Sequence, residues 1–253
     1  MKILIILIKW EGGVGRVVNS IIPLLKKAGH QVEVISREDD LKCYSTKQAF
    51  FKLRKEVSKK DYDILYTQDW SCALPFLFKR NHYCCFHGFN PSSFGKIIQK
   101  YLGKIIGRKL FVVGDLLHKS FPKSTILYNG VNTKNFYNLG KERKYLGYIN
   151  VSNTATPETK EKVLELQEKS LMNISRANNI PPEKMNEWYN SLKCFVSLPR
   201  KNAGFNLCWL EAMAAGVPKI VGNGNGIGIK NVKKKFKEFT WENNVKKFLE
   251  AIK

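Results

Sequence analysis

The stretch from Cys194 to Val221, CFVSLPRKNAGFNLCWLEAMAAGVPKIV, limits the fold more than any other part of the chain. An apolar run over Cys194 to Leu198 stops at Pro199, a loop runs through Gly204, and Leu207 to Ala215 reads as a short helix before a second apolar run. Two strand-length runs separated by a helix predict one βαβ unit. Asn206 has the side chain of an N-cap, and Gly216 suits the end of the helix. A helix opened this way directs unpaired backbone N–H groups, from about Gly204 to Leu207, out of the carboxyl end of a sheet, where they suit a phosphate or diphosphate. Glu211, five residues after the cap, is positioned to accept hydrogen bonds from a vicinal diol such as a ribose, with its charge solvated near the positive end of the helix.

The run Gly204, Phe205, Asn206, Leu207, then Leu210, Glu211, Ala212, Met213, Ala214, Ala215, Gly216, Val217 and Pro218 closely resembles the donor-site signature of family 4 glycosyltransferases with the GT-B fold. That signature reads roughly E-G-F-G-x-x-x-x-E-A-M-A-x-G-x-P, and both of its glutamates face a nucleotide sugar. The resemblance implies that Glu211 is the ribose ligand. The first glutamate position is occupied by Ala203, so the chain departs from the family at the carboxylate that usually contacts the transferred sugar.

The beginning of the chain is similar to the same family. An apolar run over Lys2 to Ile8 leads into Trp10, Glu11, Gly12, Gly13, Val14, Gly15 and Arg16, and then into a helix-periodic stretch from Val17 to Lys27. Glycines after a first strand let a loop approach a ligand closely and leave amides free at the helix start. Their G-G-x-G spacing is not the dinucleotide G-x-G-x-x-G, which makes a nicotinamide site a weak reading. With Gly29 and His30 downstream, the order resembles the family's G-G-x-x-R…G-H-x-V opening, whose loop lies at the cleft beside the diphosphate and the acceptor. The strand Tyr83 to Phe86 ends in His87, Gly88 and Phe89, similar to the family's H-G position, and the resemblance makes His87 the residue that lies over the donor sugar and assists transfer. Gln68, Asp69 and Trp70 follow another strand on its favourable side and are read as shaping an acceptor pocket.

Asp61, Tyr62 and Asp63 form a D-x-D triplet, but they precede the strand Ile64 to Thr67. Their carboxylates therefore fall at the edge opposite the one where ligands bind in such sheets, and no metal site is assigned. Asn129, Gly130, Val131 and Asn132, with Phe136 beyond, resemble the family's N-G-V-D…F element that closes the first domain. This sets the domains at 1–138 and 139–253. In the family, an arginine and a lysine after the first strand of the second domain clamp the diphosphate. Here Asn150, Ser152, Asn153 and Thr154 stand where the arginine is sought, and Lys160 is the candidate lysine. Arg200 and Lys201, in the loop of the donor motif, are positioned to substitute for the clamp. One βα unit of the second domain is missing relative to the family. Gly222 to Gly228 make a glycine-asparagine loop read chiefly as a connection.

Charge narrows the partners. Among 253 residues, 43 are Lys or Arg and 21 Asp or Glu, a formal net charge of +22 that raises the local concentration of anionic ligands. The densest run, Lys233 to Lys235, is short for a nucleic-acid tail and has only Phe236 as an interleaved aromatic, so nucleic acid is the weakest of three readings. MKILIILIKW holds too short an apolar run to span a bilayer and no cleavage site follows. The six cysteines show neither C-x-x-C spacing nor scaffold density. A reduced, cytoplasmic protein is expected, with peripheral contact at an anionic membrane left open. The expectation from sequence is an α/β chain of two Rossmann-like domains facing a cleft, the second shortened. It transfers sugar from a nucleotide-sugar co-substrate, with retention and without metal or other cofactor, to an acceptor the sequence does not identify, a lipid-linked or protein acceptor being among the candidates. The alternative is a GT-B protein that binds a nucleotide or an anionic surface without turnover.

Overall fold

A computed structural model describes residues 1–150, 156–201, 203–225 and 228–253. The first unit runs in the order β1 (Lys2–Leu7), α1 (Gly13–Lys27), β2 (Gln31–Ser36), α2 (Thr46–Val57), β3 (Ile64–Gln68), α3 (Trp70–Ala73), β4 (His82–Phe86), α4 (Ser93–Ile106), β5 (Leu110–Val112), α5 (Asp115–Ser120) and β6 (Thr125–Ile126). Its strands form one parallel sheet in the order β2-β1-β3-β4-β5-β6. Ile3 to Leu7 are all buried, as an unbroken apolar run must be in a strand paired on both sides and covered on both faces. Leu4, Ile6, Leu53, Val57 and Phe76 belong to one core cluster beneath α2.

The second unit follows as β7 (Tyr145–Ile149), α6 (Pro157–Ser170), β8 (Ile174–Ala177), α7 (Met185–Asn190), β9 (Leu192–Val196), α8 (Leu207–Ala214), β10 (Lys219–Val221) and α9 (Ile229–Lys234). Its four strands are parallel in the order β10-β9-β7-β8, so it is the smaller of two Rossmann-like domains. Leu146, Tyr148, Val163, Cys194 and Val196 form a core beneath α6. Ser152, Asn153 and Thr154, where the sequence reading sought the arginine, lie outside the described residues, as do Val151, Gly226 and Ile227.

The compact units are Met1–Asn129 with Trp241–Lys253, and Gly130–Thr240, whereas the sequence reading divides the chain once near residue 138. Two sets of contacts explain the difference. Val131 N–H donates to Phe239 O, while Asn186 and Asn190 accept from the amides of Tyr137 and Leu139, fastening the whole segment 131–139 to the second unit. The last helix, α10 (Trp241–Ala251), returns to the first unit. Its Phe248 ring lies 4.5 Å from that of Tyr66 and 5.5 Å from that of Phe111, and Asn244 Nδ2 donates to Tyr128 O at 2.8 Å. Amphipathic periodicity announces that such a helix is covered on one face, but not by which sheet.

Candidate functional site

In both sheets the chain winds outward in one direction from an inner strand and then reverses, and the crevice at such a reversal is where open α/β sheets hold ligands. In the first sheet the reversal lies between β1 and β3, and in the second between β7 and β9. The loops after these strands carry most of the residues singled out from the sequence.

After β9, the loop and α8 form as the sequence predicts. Asn206 caps α8, its Oδ1 accepting from Cys208 N–H at 3.1 Å while its Nδ2 donates to Ser197 Oγ at 2.8 Å. Gly216 takes a positive φ of 75°, and its N–H and that of Val217 bond back to Met213 O and Ala212 O, a paired closure that satisfies the last carbonyls of the helix. Gly204 and Leu207 are buried and Phe205 half-buried, its ring edge-on to Phe239 at 5.4 Å. Arg200 and Lys201 are exposed on the same loop, and Lys160 is exposed in the first turn of α6. Thr156 caps α6 and donates through Oγ1 to Leu198 O at 2.8 Å, while Leu198 N–H donates to Thr159 Oγ1 at 2.9 Å. These bonds tie the start of α6 to the end of the β9 segment, so Lys160 stands on a helix anchored to the donor-like loop.

Glu211 differs from the expectation of a solvated carboxylate. It is 6% exposed, and Oε2 accepts from Tyr189 Oη–H at 2.9 Å. The reason is that α8 is apolar nearly all round, with Leu207 to Ala212 all buried, so its fifth residue has no solvated side to occupy. Arg143 reinforces this interior: its guanidinium donates to Ala215 O at 2.7 Å, Tyr189 O at 3.1 Å and Asn190 Oδ1 at 3.1 Å. One half-buried cation thus satisfies the carboxyl ends of α7 and α8, whose dipoles favour positive charge there. Nothing in the run Lys141 to Lys144 marks Arg143 among its charged neighbours. The glycine-asparagine loop is more than a connection, because Asn223 Nδ2 and Asn225 Nδ2 both donate to Pro199 O, at 3.0 and 2.7 Å, and brace the donor-like loop.

In the first unit the loop after β1 is held from the side. Asp39 Oδ2 accepts from Trp10 N–H and Ser36 Oγ–H, both at 2.7 Å, and these bonds keep its carboxyl below the usual range. Gly12 begins α1 with φ 92°, and Gly13 faces open space. Gly15 is required for packing within the chain, since a Cβ there would lie 1.7 Å from Trp10 O. Arg16 is exposed on the first turn of α1.

The ends of β2, β3 and β4 gather a polar cluster. His87 Nε2 lies 2.7 Å from Gln68 Oε1, within hydrogen-bond distance. Burial pushes the His87 pKa down to about 4, which keeps the ring neutral. Asp69 has φ 82° and ψ 153°, a backbone state rare outside glycine that costs roughly 1–3 kcal/mol and concentrates at functional sites. Burial raises its carboxyl pKa against the opposing bonds from Ser71. Arg37, which sequence reasoning passed over within Ser36 to Asp40, is 6% exposed and donates to Ser71 Oγ at 3.2 Å and Glu38 Oε1 at 2.9 Å. Among the described residues, Arg37 Nε and Gln68 Nε2 are buried donors without acceptors, so this edge holds more hydrogen-bonding capacity than the protein uses.

At the opposite edge, Asp63 accepts from Lys2 N–H at 2.7 Å and Asp61 pairs with the Lys2 ammonium. No group of three or more potential metal-ligating side chains occurs among the described residues. All six cysteines are buried and free, and burial pushes the Cys72 and Cys85 thiols up to about 12.

His82 is buried beside Thr67 Oγ1 at 2.8 Å, and its pKa too is pushed down to about 4 by burial. Unfolded histidine titrates near 6.5, so between about pH 6.5 and 4 the unfolded chain binds more protons than the folded one. Stability should therefore be full above pH 6.5 and fall as pH drops through that window, by at most about 1.4 kcal/mol per pH unit for His82 and less for the half-buried His87. Urea denaturation at pH 7 and pH 5 measures this. His82→Gln should flatten the difference, and equal stability at both pH values in the parent chain would refute the assignment.

No family model matches the sequence, and no curated protein matches it. Its structure, however, is similar to solved ones over nearly its whole length. Sucrose-phosphate synthase from Thermosynechococcus elongatus matches with a TM-score of 0.62 at 12% identity, over 99% of this chain and 94% of that one. AviGT4, a glycosyltransferase involved in avilamycin A biosynthesis, gives 0.66 at 10% identity over 99% and 96%. HepE from Anabaena, in complex with UDP-glucose, gives 0.57 at 12% identity over 100% and 95%. The chain has the GT-B fold.

Proposed function

We propose that this chain is a glycosyltransferase that moves a sugar from a nucleotide-sugar donor to an acceptor, with retention of configuration and without a metal ion. The observation that carries the reading is the capped, braced loop from Leu198 to Leu207 at the strand reversal of the second sheet, bearing the donor-like motif in a chain of GT-B fold. HepE, which shares that fold, binds UDP-glucose, which supports a nucleotide sugar as the ligand class.

The chemistry requires a leaving nucleoside diphosphate to be stabilised as its charge grows. The backbone N–H groups from Gly204 to Leu207, at the entry to α8, are assigned to that task with Arg200, Lys201 and Lys160. Gly204, Phe205, Asn206 and Leu207 line the diphosphate side, and Glu211 accepts from the ribose hydroxyls. His87, as a neutral imidazole, assists as a hydrogen-bonding group over the sugar rather than as a cation. The loop of Gly12, Gly13, Gly15 and Arg16 is assigned to the acceptor by its likeness to the family's opening motif. A second reading, binding of nucleotide without turnover, is favoured by Ala203, whose methyl group offers no carboxylate to the transferred sugar.

Neutralising the loop tests the donor assignment. Arg200→Ala with Lys201→Ala should weaken nucleoside diphosphate binding by about tenfold or more at low salt, the worth of one charge-assisted contact, and leave nucleoside binding nearly unchanged. Calorimetry at low and moderate salt reads both. Equal loss for the two ligands, or none, would leave only general surface charge. Incubation of the parent chain with nucleotide sugars then separates transfer from the second reading, which predicts binding without release of nucleoside diphosphate.

A further inference from the structure

Helix α4 has three faces. Gly95, Gln99, Leu102, Gly103 and Ile106 are buried, and Lys96, Lys100 and Lys104 form a row along one flank. The third sector carries Phe94, Ile97, Tyr101 and Ile105, which are 74, 53, 66 and 54% exposed. A surface helix ordinarily presents polar residues opposite its buried stripe, so four large apolar side chains in helical register on the outside call for a partner. The helix cannot turn to bury them. A Cβ on Gly103 would stand 2.3 Å from the Phe121 ring and one on Gly95 2.4 Å from the Asn90 side chain, so these glycines fix which face is inward.

The surface continues beyond the helix. Leu77, Lys79, Ile105 and Lys109 line one depression, and the Lys109 ammonium donates to Arg80 O, which sets the α3–β4 connection beside the carboxyl end of α4. The tip of that connection, Phe78, is 93% exposed. Residues 70–114, which span both elements, contain seven Lys or Arg and no Asp or Glu.

We propose that this face docks on an anionic lipid surface, with Phe78, Phe94, Ile97, Tyr101 and Ile105 entering the headgroup–acyl boundary and the lysine row meeting the headgroup phosphates. Charge complementarity selects this partner, because an apolar ridge bordered by lysines has the composition of a helix that lies in a membrane interface. Lysine stems can lie along the ridge while their ammonium groups stay hydrated. A second copy of the chain fits poorly, since two faces without a single carboxylate would bring lysine rows together. No described helix is long and apolar enough to cross a membrane, so the contact is peripheral. Attachment of this kind brings the chain to acceptors carried in that surface, but it is independent of whether sugar is transferred.

Flotation with vesicles tests the proposal without any nucleotide sugar. The parent chain should bind phosphatidylcholine vesicles that contain phosphatidylglycerol and bind pure phosphatidylcholine weakly. Ile97→Gln with Tyr101→Gln, which keeps every charge and suits an exposed helix, should lower the bound fraction about tenfold. Lys96→Gln with Lys100→Gln and Lys104→Gln should remove the preference for anionic lipid. Ile97→Trp should give a blue-shifted emission on adding the anionic vesicles, a gain of signal that does not rest on loss of fold. Failure of the parent to float, binding unchanged by the apolar substitutions, an unshifted tryptophan, or a parent dimer in light scattering that the apolar substitutions abolish would each overturn it.

Discussion

Replacing Gly15 with alanine is expected to unfold much of the first unit, although the position lies in a helix where alanine is normally the better residue. The added Cβ would stand 1.7 Å from Trp10 O, 2.4 Å from its carbonyl carbon and 2.9 Å from its Cα. All three are backbone atoms, so no side-chain rotation relieves the clash. Trp10 cannot retreat freely either, because its N–H is bonded to Asp39, which also binds Ser36 at the end of β2. Separating α1 from this loop opens the packing of Val17, Val18 and Ile21 over the sheet, a loss on the order of 3–5 kcal/mol. Gly13→Ala is the control, since its Cβ would meet nothing within 4 Å, and it should be neutral or stabilising by up to about 1 kcal/mol. Urea denaturation of both variants decides the matter. Similar midpoints for the two would show that the Trp10 contact is not what fixes the start of α1.

Glu211→Gln is the second change expected to have a large effect, and here on binding rather than on folding. Glutamine keeps the shape and an oxygen to accept from Tyr189, so the interior around Tyr189, Trp188 and Phe195 should persist. What is lost is the charge. A carboxylate accepting from two ribose hydroxyls makes charge-assisted bonds, each worth on the order of 1.5–3 kcal/mol, and removing that assistance should weaken nucleoside diphosphate binding by about 10- to 100-fold. Tyr189→Phe supplies the comparison: it removes one hydrogen bond to Glu211, costs about 1 kcal/mol of stability, and keeps the carboxyl group. Donor affinity by calorimetry should fall far more for Glu211→Gln than for Tyr189→Phe. Unchanged affinity in a folded Glu211→Gln protein would confine the residue to a structural role.

The two cases mark how far sequence reading reaches. Local signals proved reliable where they rest on short-range stereochemistry: the Asn206 cap, the positive φ at Gly216 and the first strand from Lys2 all follow from their immediate neighbours. The βαβ order and the edge occupied by Asp61 and Asp63 followed from strand direction alone. Reading lost ground wherever a residue's role depends on chain distant in sequence. The carboxylate of Glu211 is interior because the first six residues of α8 are all covered. Arg143 spans two helix ends that lie beyond it by 46 and 72 residues. Asn223 and Asn225 reach back to Pro199, and α10 leaves the unit that precedes it to pack on Tyr66 and Phe111.

The amino-acid sequence by itself determined the strand, loop and helix at the chain's opening and in the donor-like motif, and that the chain winds into two parallel α/β sheets. Apolar periodicity, caps and glycines act over a few residues and need no partner to be read. Tertiary structure decided which faces are covered and by what: that Glu211 is buried, that Gly15 answers to Trp10, that the chain divides at Asn129, and that the apolar ridge of α4 stays outside. Burial is a property of packing between elements. A pattern of side chains shows that a helix has an apolar face, and only the assembled sheets and helices settle whether anything in the protein lies against it.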